Sequence, residues 1–232
     1  MQTMLKKDVR KNRKPWPENR QVFHMARRSN HCTVLGPGNR AVLWAQGCKF
    51  RCRGCVAPET QPFHGGQEVD VALLADELCG LPDIEGVTFS GGEPMAQAAA
   101  LVNLVDSIRS KRDLSFMSYT GYTLEYLLRR GSPAQNDLLA RLDILVDGPY
   151  IAARHTDLRW RGSDNQHVHF LSPRYRHLAA QANERGYQLE CEHAADGTFH
   201  WMGIPPKGFR EKLERNMLAR GIVLRVTEDC YE

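Results

Sequence analysis

Gly86-Val87-Thr88-Phe89-Ser90-Gly91-Gly92-Glu93-Pro94 is a short β-branched and aromatic run that stops on two glycines and a proline. Val, Thr and Phe suit a pleated strand, and Gly-Gly ends it in a turn. Downstream, Leu101, Val102, Val105 and Ile108 return at helical spacing. The stretch is thus one strand–loop–helix unit, and the chain repeats that unit on both sides of it.

Upstream, Ala41-Val42-Leu43-Trp44-Ala45 reads as a buried strand. Residues 61–68, with Pro62, Gly65 and Gly66, read as loop. Asp70 is placed to cap a helix carrying Val71, Leu74, Ala75 and Leu78, which Leu81-Pro82 stops. Downstream, residues 114–119 form a strand, and Thr123 opens a helix with Leu124, Leu127 and Leu128. A short helix around Leu138, Leu139 and Leu142 precedes the strand Ile144-Leu145-Val146. Residues 167–171 are the next strand, and Ser172-Pro173 then supplies a cap and a first-turn proline.

Strands alternating with helices predict an α/β fold with a mostly parallel sheet and helical crossovers. Loops at the C-terminal ends of such strands form the functional sites. Residues 48–55, Gly91-Gly92, Thr120-Gly121 and Asp147-Gly148 all fall at such ends. They are predicted to meet at one site.

The tail breaks the alternation. Residues 188–193 and 198–202 flank Ala194-Ala195-Asp196-Gly197, a hairpin signal. A helix with Phe209, Leu213 and Met217 ends at Gly221, and residues 222–226 read as a strand. The expected organisation is a basic arm over residues 1–30, a main α/β domain over 31–186 and a small α/β appendage over 187–232.

The composition is ordinary for a globular chain. With 232 residues and 42% hydrophobic side chains, it can bury a core without disulfide staples. No apolar run is long enough to span a bilayer, and the basic, polar N-terminus is unlike a signal peptide. The expected location is the cytoplasm, with no membrane partner. The net charge of +4 is uneven: residues 1–28 hold nine Lys/Arg and two acids, or +7, which leaves −3 for the rest. The arm, with Lys6, Lys7, Arg10, Lys11, Arg13 and Lys14, reads first as a solvated tail and second as a dock for an acidic protein. Because the remainder is acidic, nucleic acid is not expected as a partner.

Of seven cysteines, Cys48, Cys52 and Cys55 crowd into eight residues, while Cys32, Cys79, Cys191 and Cys230 lie scattered. Clustering of this kind argues for metal binding, and the scattered four for reduced thiols. The spacing is C-x3-C-x2-C, and Gly54 allows a sharp turn. Three thiolates on a tight loop can hold three corners of an iron–sulfur cubane and leave the fourth iron open. The alternative is zinc with a fourth ligand such as His64, but zinc sites usually add a second, distant cysteine pair, and none is present. The nine histidines show no metal spacing; His167 and His169 share a strand face, which a solvated face explains. Trp44 and Phe50 are read as core before they are read as a shield for the cysteines.

Together, C-x3-C-x2-C and the later Gly91-Gly92-Glu93-Pro94 resemble the radical S-adenosylmethionine superfamily. Gly36-Pro37-Gly38-Asn39-Arg40, Gln46-Gly47-Cys48, Cys52-Arg53-Gly54-Cys55 and Pro58-Glu59-Thr60 narrow the resemblance to the anaerobic ribonucleotide reductase activating proteins. Tyr119-Thr120-Gly121-Tyr122-Thr123, Asp147-Gly148 and residues 160–166 continue it over roughly 31–172.

The resemblance implies a partial (β/α) barrel and a [4Fe–4S] cluster on Cys48, Cys52 and Cys55. It implies S-adenosyl-L-methionine bound at the open iron and contacted by the Gly91-Gly92-Glu93-Pro94 segment. It further implies cleavage to methionine and a 5′-deoxyadenosyl radical, which makes a glycyl radical on a partner reductase. Thr120 and Asp147, at strand ends, are candidates to line the cofactor site, with turn capping as the competing role. Arg161, Asn165 and Gln166 face substrate or stabilise their loop. No catalytic residue is assigned. An electron donor such as flavodoxin or ferredoxin is expected. The other readings are a radical enzyme acting directly on a small molecule, peptide or other protein, and a non-catalytic zinc or nucleic-acid binding module. The roughly 60 residues beyond the resemblance favour the former of these.

Overall fold

The computed structural model describes residues 19–193 and 199–223. Seven strands form one open sheet: β1 (Val22–Ser29), β2 (Arg40–Ala45), β3 (Gln67–Asp70), β4 (Gly86–Gly91), β5 (Ser115–Tyr119), β6 (Ile144–Asp147) and β7 (His167–Phe170). Their order is β3-β1-β2-β4-β5-β6-β7. The central β2-β4-β5-β6 block is parallel, with Leu43 opposite Phe89 and Ser118 opposite Leu145. The outer pairings β3-β1, β1-β2 and β6-β7 are antiparallel. Among the described residues β3 and β7 are the edges, and the sheet does not close.

Crossover helices α1 (Val71–Gly80), α2 (Ala98–Arg109), α3 (Leu124–Arg130) and α4 (Pro133–Leu139) follow β3, β4 and β5. Their starts are chemically marked. The Asp70 carboxylate accepts from the Ala72 and Leu73 amides, and Thr123 Oγ1 accepts from Tyr126 N. Ser132 and Gln135 form a capping box on α4, and Pro133 needs no amide at the first helical position.

Alternation along each strand divides two cores. Ala41, Leu43, Val87, Phe89, Phe116 and Leu145 pack on the apolar stripes of α1, α2 and α4. Met117, Ile144 and Val146 face the other way, onto Trp160, Tyr175 and Ala182. Val42 and Trp44, on that same side, meet Cys32, Leu35 and Met202. Helices thus cover one face of the sheet, and loops plus a C-terminal hairpin cover the other.

Two expectations change at the N-terminal side. Residues 22–29 are not arm but β1, whose Phe23 and Met25 belong to the helix-side core. A register shift between Met25 and Arg27 spoils the alternation that would have revealed the strand. Residues 67 and 68, expected at the end of a loop, begin β3, a short polar edge. In the tail, β8 (Leu189–His193) and β9 (Phe199–Gly203) pair antiparallel, and α5 (Phe209–Leu218) follows. The turn at 194–198 and most of the expected strand 222–226 lie outside the described residues; Ile222 and Val223 are not in a strand. No helix among the described residues is long and apolar enough to cross a membrane.

A lock sits at the N-terminal end of β2. Arg40 is fully buried and donates five hydrogen bonds to neutral oxygens on two neighbouring strands and a loop: Thr88 Oγ1, Ser115 Oγ, and the carbonyls of Pro37, Val87 and Ser115. A side-chain carbon at Gly36 or Gly86 would come within 2.6 Å of its stem or guanidinium. The Gly36–Arg40 segment therefore anchors the sheet at the end opposite the cysteines.

Candidate active site

β2 runs straight into the cysteine loop. Gly47, at φ +90°, turns the chain, and Cys48 enters buried. Gly47 N donates to Thr60 O at 2.7 Å and Cys48 N to Gln61 O at 2.8 Å, so the loop is closed at its base. Inside it, Cys55 N bonds Cys52 O at 3.2 Å across a turn in which Gly54 has φ +74°. Gln46 Nε2 holds the far limb through Pro62 O at 2.8 Å.

The loop after β4 is keyed into this base. Gly92 N donates to Ala45 O at 2.8 Å and Glu93 N to Gly47 O at 2.9 Å. A Cβ at Gly92 would lie 2.5 Å from Gly47 O, and Gly91 has φ +88°. Both glycines are therefore demanded by close backbone approach.

Glu93 is fully buried. Oε1 accepts from Met95 N at 2.9 Å and Thr120 Oγ1 at 2.8 Å, and Oε2 from Gly121 N at 2.8 Å. Its carboxylate thus ties the β4 loop to the β5 loop. Burial pushes its carboxyl up to about 7, against the pull of those donors and of Lys49. Pro94 opens the 3-10 turn Pro94–Gln97 beneath it. Gly121 in turn supports Phe50: any side chain there would strike the Phe50 ring, at 2.5 Å. Phe50 meets Tyr122 edge-on, and Lys49 Nζ lies 4.5 Å from the Tyr122 ring centre.

Cys48, Cys52, Cys55, Gly91, Gly92, Glu93, Pro94 and Thr120 are thus assembled at the C-terminal ends of β2, β4 and β5. Asp147 stands apart. Leu124 N donates to its Oδ2 at 2.6 Å and His167 N to its Oδ1 at 3.2 Å, so its carboxylate serves α3 and β7. Burial alone would raise its pKa; the His169 contact and these amides bring it below the ordinary value. Arg161 donates to Ala182 O and Asn183 Oδ1, Asn165 to Pro149 O, and Gln166 to Gly148 O. These bonds stabilise loops. Trp44 is buried core under the Arg27 guanidinium, 3.5 Å away. His64 is exposed.

Residues that were not candidates for the site in the sequence also take part. Thr60 and Gln61 supply the acceptors that shape the loop, and Gln61 and the Ala57 backbone assist the Cys55 thiolate. Tyr150 and Ala152 pack on Gly54, each 3.6 Å from where a Cβ would sit. Spacing alone carries no trace of these long-range contacts.

The thiols are reduced and unpaired. Burial raises Cys48 to about 11 and also raises Cys55, so a bound metal must displace their protons. A single tetrahedral zinc needs sulfurs only about 4 Å apart. The three thiols do not form a set whose donor atoms all lie within 4.8 Å of one another, among the described residues. The thiol-only donor set suits iron–sulfur ligation.

Comparison with known proteins agrees. Residues 34–169 match the family model described as a 4Fe-4S single cluster domain. The anaerobic ribonucleoside-triphosphate reductase-activating protein of Vibrio cholerae is 35% identical over 144 residues, 59% of this chain and 90% of that protein. Its namesake from Escherichia coli K12 is 32% identical over 148 residues, 60% of this chain and 92% of that one. A putative glycyl-radical enzyme activating enzyme of Haemophilus influenzae is 36% identical over 92 residues, 38% of this chain and 35% of that protein.

Proposed function

The chain belongs to the 4Fe-4S single cluster domain family, and on that footing we propose that it is a radical S-adenosylmethionine enzyme that generates a glycyl radical on a partner such as an anaerobic ribonucleotide reductase. The observation that carries this reading is the hydrogen-bonded joint between the cysteine loop and the Gly91-Gly92-Glu93 loop, because it holds the two motifs side by side at the ends of β2 and β4. Cys48, Cys52 and Cys55 would hold a [4Fe–4S] cluster. When bound, it supplies one electron to the sulfonium of S-adenosylmethionine, which breaks to methionine and a 5′-deoxyadenosyl radical.

The residues' own tasks follow from their geometry. The Gly91-Gly92-Glu93-Pro94 segment and Thr120 would frame the methionine end of the cofactor. Glu93 acts there as a brace, since its oxygens already accept three protein hydrogen bonds. The β2-β4-β5-β6 block with helices on one face is our basis for a partial-barrel reading, with the radical shielded by the loops opposite. A cytoplasmic flavodoxin or ferredoxin would supply the electron, with the basic arm as its dock.

The direct test is anaerobic assay of 5′-deoxyadenosine. Replacing Cys48, Cys52 or Cys55 with Ala is expected to abolish its formation along with iron binding. Full activity in any one variant would sink the assignment. Mixing the reduced protein with an anaerobic reductase and recording a glycyl radical by paramagnetic resonance tests the partner. One observation favours a second target, a small molecule or other protein modified directly: residues beyond 169 fall outside the family match, and Met202 among them packs on Trp44. Deoxyadenosine produced without any glycyl radical would support that second target.

A further inference from the structure

At the far edge of the sheet, three side chains converge that the cysteine site does not use. Asp147 ends β6 directly opposite His167 at the start of β7, and His169 lies two residues on, on the same face. Asp147 Oδ1 is 3.3 Å from His167 Nδ1, and Oδ2 is 3.1 Å from His169 Nε2. One donor atom from each lies within 4.8 Å of the other two, the one such set among the described residues. His169 Nε2 is shielded from solvent, yet it makes no hydrogen bond of acceptable geometry despite the carboxylate beside it. Two imidazoles thus approach one carboxylate, His167 Nδ1 hydrogen-bonded to Oδ1 and His169 Nε2 beside Oδ2 without such a bond.

The carboxylate is also prepared. Its side chain is 4% exposed, and the amides of Leu124 and His167 fix its two oxygens, as outer partners fix a ligating carboxylate. We propose that Asp147, His167 and His169 bind a divalent transition-metal ion through two imidazole nitrogens and one carboxylate oxygen. Two nitrogens and one oxygen suit zinc, iron(II) or cobalt(II) better than calcium or magnesium, which prefer oxygen alone. His167 is 68% exposed and gives the ion a way in. Bound there, the ion clamps both ends of the 148–166 segment, whose Tyr150 and Ala152 pack on Gly54 of the cysteine loop.

The test uses zinc as the probe and cluster-loaded protein, so that the cysteines are occupied. After anaerobic dialysis against micromolar zinc, elemental analysis is expected to find one zinc per chain beyond the cluster iron. His167→Ala/His169→Ala is expected to weaken zinc binding by more than the roughly 10–100-fold that loss of a supporting group costs. His169→Gln is the milder variant, with circular dichroism and iron content as checks on folding. In parallel, Cys48→Ser/Cys52→Ser/Cys55→Ser is expected to keep its zinc. That arm decides the matter even if no cluster can be loaded. Zinc uptake confined to the cysteines, or equal uptake by the wild type and the double-histidine variant, would overturn the proposal.

Discussion

Glu93 places a carboxylate where solvent does not reach, and its three donors only partly offset the cost. Its ordinary pKa is 4.5, and in the fold it stands at about 7. The native state therefore holds this proton more tightly than the unfolded chain does. The stabilisation is fully present below about pH 4.5 and is lost as pH rises through about 7. Thermal melts across that window should show Glu93→Gln with a shallower fall than wild type, starting about 1–3 kcal/mol less stable because one donor loses its acceptor. Arg40 poses the reverse case. Arg40→Met should cost about 3 kcal/mol or more in urea unfolding, because Thr88, Ser115 and three carbonyls lose a shared donor. The cysteines and glycines could be read from the sequence because their spacing is local. Arg40 as core, Glu93 as brace and Asp147 as partner of β7 could not, because each depends on a register that brings distant residues side by side.

Elements divide along the same line. β2, β4, β5 and β6 were readable as apolar runs, and Asp70 and Thr123 as caps, because burial on both faces and capping leave local marks. β1 and β3 were not, since strands carrying Arg27, Arg28 and Glu68 look like arm or loop until their partners are known. The joint between the β2 and β4 loops gives a sharp test. Gly92→Ala forces a methyl onto the Gly47 carbonyl and should cost roughly 1–3 kcal/mol, together with loss of cluster binding measured by iron content. On the helix side, Leu104→Ala, fully buried in α2, should cost about 2–5 kcal/mol in the same unfolding assay and leave iron content intact.

For the molecule as a whole, the expected parallel α/β core is present as an open sheet, and the family match ends within β7. The hairpin rests on the sheet through Met202 and on the loop before β2 through Glu190, which accepts from Thr33 N at 3.0 Å. Met202→Asp should detach it, seen as faster proteolysis near residues 187–204 with the main thermal transition retained. One consequence concerns timing. The base of the cysteine loop is fastened by backbone bonds from Gly47 to Thr60, Cys48 to Gln61, Gly92 to Ala45 and Glu93 to Gly47. The last two need β4 already laid beside β2, so they cannot form on a nascent or unravelled chain. The loop that carries these thiols therefore takes its final shape only once β4 has paired with β2, so its completion is ordered in time as well as in space.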